Sequence, residues 1–361
     1  MPGPNIKVLI IDDSAMIREF MRQTLSNAPG IEVMGVASDP YAARKKILRE
    51  QPDVITLDIE MPRMDGLTFL EKLMNFRPTP VVMFSSLTQA GAQATLKALA
   101  LGAVDFVAKP SSNMREKLPV LAEEIVEKVR AASGARVRSL LVTPESLQVP
   151  EKIEVDKVVA LTKAPPHPGG PMVFLIGAST GGTVALEKVL VRMPADSPPI
   201  AIVQHMPEHF TKAFADRLNG LCRLEIREAS DGMELAPGQA AVAPGGRHML
   251  LECNSSGYWL RVKDGPRVNR HKPSVDVLFR SGVNSAGPNS VAVIMTGMGD
   301  DGARGMKNLH DVGAFTIGQN EETCTVYGMP KTAKALGAVD REAPLDSIAP
   351  MLIGLWQRKN C

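Results

Sequence analysis

The sequence predicts an α/β protein built of two doubly wound parallel-sheet domains joined by a linker, and three observations carry that expectation. Short apolar runs alternate with longer segments of helical period, first from Ile6 to about Arg130 and again from Met172 to near Trp356. A strand covered on both faces reads as a nearly unbroken apolar run, and its parallel neighbour needs a crossover, usually a helix. Between the two series, "AASGARVRS", "VTPESLQVPEK" and "KAPPHPGGP" concentrate proline, glycine, serine and charge, the composition of a linker. The chain, at 361 residues, also exceeds one ordinary core. The boundaries drawn are 5–125 for the first domain, 126–169 for a helix end and linker, and 170–357 for the second domain.

In chain order, the strands of the first half are "KVLIID", "VITLD", "VVMFSS" and "VDFVAK". Those of the second are "MVFLIG", "IAIVQH", "SVAVIMTG" and "GAFTIG", with helices such as "TVALEKVLVRM" and "HFTKAFADRL" between several of them. Apolar residues make up 44% and charged residues 22%, which excludes a disordered chain. The net charge of +2 is scattered without a basic face, so nucleic acid is not an expected partner. Cys222, Cys253, Cys324 and Cys361 form no C-x-x-C pair and no zinc or disulfide framework. With no signal peptide and no apolar run of membrane-spanning length, the expected setting is a reducing cytoplasm without membrane insertion. Cys361 is expected to be exposed, and His167 to be no ligand.

In the first half, Asp12 and Asp13 close the first strand and Asp58 closes the third. All strand C-termini of a parallel sheet open on one edge, so these carboxylates converge there. Such a cluster repels itself unless a cation intervenes, and an oxygen-rich site suits Mg²⁺. One carboxylate is then free to attack a phosphoryl donor. Ser85, after "VVMF", adds a hydroxyl, with Ser86 as its competitor, and Lys109 in "AKP" adds a cation to balance phosphoryl oxygens. A D-D pair after a strand also serves as a helix N-cap, but five suitable residues at four strand ends exceed that need.

These stretches, "IIDDSAMIR", "LDIEMPRMDG", "SSLT" and "VAKP", resemble the receiver domain of bacterial response regulators, a flavodoxin-like fold, over residues 5 to 125. The resemblance implies that Asp58 accepts a phosphoryl group from a histidine kinase while Asp12, Asp13 and Asp58 hold Mg²⁺. It further implies that Ser85 and Lys109 are the switch residues. Phe106 stands where many receivers carry tyrosine, so a tyrosine-rotation switch is not carried over.

In the second half, Gly177-Ala178-Ser179-Thr180-Gly181 satisfies G-x-S-x-G, a sharp strand-to-helix turn that exposes a serine oxygen; it also reads as a tight turn with an N-cap. The spacing G-x-G-x-x-G of dinucleotide-binding proteins is absent. A nucleophilic serine needs a base, and the base an orienting carboxylate. His205 ends the next strand on the same edge as Ser179, ahead of His209, His248 and His310, and His271 in "NRHKPSVD" is its rival. Asp300 and Asp301 follow a third strand, and either can accept from the Nδ1 hydrogen of His205. The order Ser, His, Asp differs from that of α/β-hydrolases.

Together with "VQHMP", "APGGRHM", "HKPSVDVLF", "MTGMGDDGARGM" and "TVYGMP", the serine motif resembles the catalytic domain of chemotaxis protein-glutamate methylesterases, a Rossmann-like domain here spanning 171 to 356. By that match Ser179 is the nucleophile, His205 the base and Asp301 the orienting acid. Asp300 stands where the family usually has Asn, and Thr180 and Met298 help shape the oxyanion pocket. The resemblance implies hydrolysis of glutamate methyl esters on methyl-accepting chemoreceptors with release of methanol, deamidation of glutamines, no cofactor for the esterase chemistry, and a receiver that blocks the triad until phosphorylated. The alternative is a regulator of a related signalling array whose output domain binds a partner without catalysis.

Overall fold

The computed structural model describes residues 5–61, 64–86, 88–109, 114–135, 155, 158–161 and 170–359. Most of the expected linker, with His167, and the terminal Cys361 lie outside the described residues. The chain divides into two compact units, Met1–Glu145 and Ser146–Cys361, each described by itself.

The first unit alternates strand and helix throughout: β1 (Ile6–Ile11), α1 (Ala15–Ser26), β2 (Ile31–Ala37), α2 (Pro40–Glu50), β3 (Val54–Asp58), α3 (Gly66–Phe76), β4 (Val81–Ser85), α4 (Gln89–Ala100), β5 (Asp105–Ala108) and α5 (Met114–Ser133). The sheet runs β2-β1-β3-β4-β5 with every pairing parallel. The order of strands reverses next to β1, and ligand crevices open outside the strand C-termini at such a point. Val8, Ile10, Val54, Val82 and Val107 pack against Met21 and Leu25 of α1 and Ile125 and Val129 of α5. The helices start where the sequence supplies a cap: Ser14, Asp39, Asp65 and Thr88 each accept from an amide of the first turn.

The second unit holds β6 (Val173–Ala178), α6 (Gly182–Leu190), β7 (Ile200–Gln204), α7 (Phe210–Leu221), β8 (Glu225–Glu228), β9 (Met233–Leu235), β10 (Gln239–Val242), β11 (His248–Asn254), β12 (Gly257–Lys263), α8 (Val275–Ser285), β13 (Ser290–Ile294), α9 (Ala303–Asp311), β14 (Phe315–Gln319), α10 (Met329–Ala335), β15 (Arg341–Ala343) and α11 (Leu345–Lys359). A seven-stranded parallel sheet runs β15-β14-β13-β6-β7-β10-β8. The chain leaves β6 toward β7 on one side and returns to β13 on the other, so the crevice at the reversal lies among the C-termini of these three strands. The core joins Val173, Leu175 and Val203 of the sheet to Leu278 and Phe279 of α8 and Met306 and Leu309 of α9.

One feature departs from an all-parallel expectation. Strands β11, β12 and β9 form a separate antiparallel sheet, with Asn254 opposite Gly257 at the hairpin. Only one face of β12 is buried, at alternate residues, so its sequence mixes apolar and charged side chains and lacks the apolar run that marked the other strands. Val155 and Val159, within the expected linker, pack against Val268 and Val277 of the second unit.

Candidate functional site

The edge of the large sheet positions Ser179 and His205 through register alone. Ala178 pairs with Gln204 across β6 and β7, and the His205 amide donates to the Ala178 carbonyl at 3.1 Å. Ser179 and His205 therefore follow paired residues of adjacent parallel strands, about 4.8 Å apart. The Ser179 amide donates to the Thr296 carbonyl at 3.0 Å, and its carbonyl accepts from the Gly182 amide at 2.7 Å and the Gln204 side chain at 2.9 Å. The serine backbone is held from three sides while its side chain stays half-buried at the edge. Gly297 packs directly against it: a Cβ there would lie 2.7 Å from the Ser179 Cβ.

His205 turns Nε2 to Asp301 Oδ2 at 2.8 Å. This differs from the expectation that Nδ1 would face the acid. A carboxylate can only accept, so the proton sits on Nε2 and the basic lone pair is on Nδ1. That Nδ1 is buried and has no hydrogen-bond partner among the described residues. His271, the expected rival, stacks on His205, ring centroids 3.7 Å apart and 9° from parallel. Burial and the adjacent His205 push His271 well below the usual histidine range.

Asp301 is completely buried and saturated with donors. Oδ2 accepts from the Val275 amide at 2.7 Å as well as from His205, while Oδ1 accepts from Ser274 Oγ at 2.7 Å, Asn269 Nδ2 at 3.0 Å and the Asp276 amide at 3.3 Å. Two of the donors are first-turn amides of α8, which the carboxylate caps. Burial alone would neutralise the group; the His205 and Asn269 donors outweigh it and hold Asp301 below the ordinary carboxylate range. Each hydrogen bond to a charged group contributes about 1.5–3 kcal/mol. The approach of α8 depends on Gly177 and Gly302, where a Cβ would meet Val275 at 2.2 Å and 2.5 Å.

Of the other residues singled out, Thr180 is buried and its carbonyl accepts from Thr296 Oγ1 at 2.9 Å, while Met298, half-buried, follows the Gly297 that touches Ser179. Asp300 is half-buried beside Asp301 in sequence. His248 is buried and bonds the Pro266 carbonyl at 2.8 Å, His209 lies just before α7 with a left-handed φ of 74°, and His310 lies against Asp340 on α9. Gln204, Asn269, Ser274 and Asp276 were not singled out from sequence as functional. "NRHKPSVD" contained three of them, and only the chain reversal at Asn269 and Arg270, both with left-handed φ, brings the motif onto Asp301.

At the edge of the first sheet, carboxylate oxygens of Asp12, Asp13 and Asp58 lie within 4.8 Å of one another. Lys109 Nζ reaches Asp58 Oδ2 at 2.7 Å and Asp12 Oδ2 at 3.1 Å. Burial pushes Asp58 up to about 6 in spite of Lys109, and raises Asp12 as well. Burial also opposes the Lys109 charge, but Asp58 and Asp12 more than offset it and leave the lysine above its ordinary value. Asp13 is exposed, so the cluster has an open side, and an all-oxygen set of this kind fits a hard divalent cation. Ser85 is buried with its hydroxyl on the Gly91 carbonyl at 3.2 Å, whereas Ser86 Oγ bonds Glu60 at 3.1 Å; among the described residues neither is bonded to Asp58. Phe106 is buried beneath Lys128, 4.8 Å from the ring centre, and cannot act as a tyrosine would.

Residues 174–352 match the family described as CheB methylesterase, and residues 8–118 match the response regulator receiver domain. The chain is 51% identical over 353 residues to protein-glutamate methylesterase/protein-glutamine glutaminase 2 of Hahella chejuensis, covering 97% of this chain and 96% of that one. It is 52% identical over 350 residues to protein-glutamate methylesterase/protein-glutamine glutaminase 1 of Geobacter metallireducens, with 97% and 95% covered. The crystal structure of the Thermotoga maritima CheB methylesterase catalytic domain is similar with a TM-score of 0.50 and 34% identity, over 52% of this chain and 99% of that one. Among the described residues no helix is long and apolar enough to cross a membrane.

Proposed function

The chain belongs to the protein-glutamate methylesterase/protein-glutamine glutaminase family, and from that premise we propose that Ser179, His205 and Asp301 are the catalytic triad of its second domain. It is a hydrolase of glutamate methyl esters and of glutamine side chains in proteins, regulated through a receiver domain. The observation that supports the triad is the 2.8 Å bond between His205 Nε2 and Asp301, which leaves Nδ1 buried and unbonded on the residue that follows β7, the strand paired with the one that ends before Ser179.

The chemistry follows from that tautomer. His205 Nδ1 takes the Ser179 hydroxyl proton as Oγ attacks the γ-carbonyl of the methyl ester, and Asp301 stabilises the imidazolium across Nε2. The same Nδ1 returns the proton to methoxide, which leaves as methanol. Water then repeats the sequence on the acyl-serine and releases glutamate. A glutamine amide follows the same path with ammonia as the leaving group. Thr180 and Met298 shape the pocket for the oxyanion. The esterase step calls on no cofactor.

In the receiver, Asp58 accepts the phosphoryl group, and Asp12, Asp13 and Asp58 would hold Mg²⁺, which when bound would supply charge to offset that of the phosphoryl oxygens. Lys109, which pairs with Asp58 and Asp12, would neutralise the same oxygens. Ser85 is the hydroxyl that exchanges its Gly91 partner for the phosphoryl group, and this is how the receiver changes state. The substrates are methyl-accepting chemoreceptors, the phosphodonor is a histidine kinase, and the setting is the cytoplasm. Methanol release from methylated receptor membranes tests the reading: it should appear with the full chain, rise with a phosphodonor, and vanish in Ser179→Ala. Turnover that survives this substitution would reject Ser179 as the nucleophile.

A further inference from the structure

The mechanism above leaves a second buried carboxylate unused. Asp276 is fully buried in the first turn of α8, Oδ1 accepting from the Gly305 amide at 2.6 Å and Oδ2 from Asn269 Nδ2. The same Nδ2 donates to Asp301 Oδ1 at 3.0 Å. An amide nitrogen carries two hydrogens, so one Asn269 side chain bridges two carboxylates and both of its donors are used. We propose that Asp276, acting through Asn269, is a positioning residue that fixes the orientation of Asp301 toward His205. The proposal rests on the triad reading.

The argument is one of donor and acceptor matching. If nothing required Asn269 to point its nitrogen inward, the amide could turn and set its oxygen against the Asp301 carboxylate. Asp276 removes that choice, because its Oδ2 also needs a donor. Asn269 is itself committed, holding φ of 48° in a turn that bulky residues avoid. Asp276 is fixed from the far side by α9, which approaches so closely that a Cβ on Gly305 would lie 3.0 Å from Asp276 Oδ1. Burial and Asp301 push Asp276 up to about 7, the cost of keeping two carboxyl groups on one amide. That arrangement is expensive for a part that only fills space; an apolar side chain would fill it without a buried charge.

Asp276→Asn keeps the volume but has one acceptor oxygen in place of two. Whichever way it turns, its own NH₂ faces either the Gly305 or the Asn269 donor. In the full chain, with methylated receptor membranes as substrate, kcat should fall about 10–100-fold, the range for outer-shell partners of a reacting group, with KM within about twofold. In an Asp301→Asn background the same change should cost less than about threefold, because its effect passes through the lost carboxylate. Asn269→Ala breaks the link and also removes a donor that reaches Asp301 directly, so its kcat loss should be at least as large and Asp276→Asn added to it should cost less than about threefold more; Asp276→Ser takes the place of Asp276→Asn if that variant does not fold. A kcat within about threefold of the unaltered protein, or equal losses in both backgrounds, would overturn the proposal. Full turnover in Asp301→Asn would instead remove the triad reading itself, so the two failures are distinguishable.

Discussion

The two sheets gather acidic groups at the same kind of edge and treat them in opposite ways. Around Asp58 three carboxylates gather, the buried pair shares one lysine and sits above the ordinary carboxylate range, and one side is open. Around Asp301 one carboxylate receives five donors and sits below that range. Parallel topology fixes only where polar side chains converge. The number of donors supplied to each charge separates the roles proposed for the two edges: the under-satisfied cluster would receive a cation and a phosphoryl group, and the saturated one would hold an imidazole still while it moves protons.

The largest effect should come from the saturated edge. Ser179→Ala should lower kcat at least about a thousandfold, read as methanol release, with an unchanged unfolding temperature. At the under-satisfied edge, Asp58→Asn should abolish incorporation of phosphate from acetyl phosphate and the stimulation that follows; retained stimulation would break the assignment of roles. A subtler change sharpens the claim that the serine edge is rigid. A Cβ on Gly297 would meet Met329 Sδ at 2.3 Å and Ser179 Cβ at 2.7 Å, so even if the methionine gives way Gly297→Ala must displace the serine or the backbone beside it. We expect kcat to fall about tenfold, since displacements of this size misalign reacting atoms.

The smallest effect is a pH dependence that Mg²⁺ should alter in one unit and not in the other. Asp58 titrates near 6 in the folded protein against an ordinary value of 3.8, so between these the folded state holds more protons and the first unit should lose stability as pH rises from about 4 to about 6. The second unit carries both signs: Asp301 is shifted down, so its contribution is lost only as pH falls below about 3.8, whereas Asp276, pushed up to about 7, adds a loss as pH rises from about 4 to about 7. Hydrogen exchange followed by mass spectrometry, peptide by peptide, reads the units separately. Mg²⁺ should remove the loss in the first unit and leave the second alone. A loss in the first unit that Mg²⁺ leaves unchanged, or one that it removes equally from the second, would contradict the contrast.

Much of this was legible in the sequence because it follows from period and strand ends. Asp12, Asp13, Asp58, Ser179 and His205 all lie at or just after the last residue of an apolar run, and a parallel sheet brings such positions together without further information. The antiparallel β9, β11 and β12 were not legible, since a sheet with one wet face alternates and its strands resemble surface segments. The cradle of Asp301 was hidden for another reason. Asn269, Ser274 and Asp276 reach the acid by a reversal at two left-handed residues and by a helix N-terminus admitted by Gly177 and Gly302, neither of which has a local pattern. The ring orientation of His205 is likewise invisible in sequence, because it depends on the side from which Asp301 approaches.

The central claim is that Ser179 is made nucleophilic by His205. Treating the full chain with a serine-directed fluorophosphonate and locating the adduct by mass spectrometry tests it directly. A single adduct on the peptide carrying Ser179, formed with the unaltered protein and lost in His205→Ala, is the predicted result. Modification of a different residue, or equal labelling of Ser179 without the imidazole, would contradict the account.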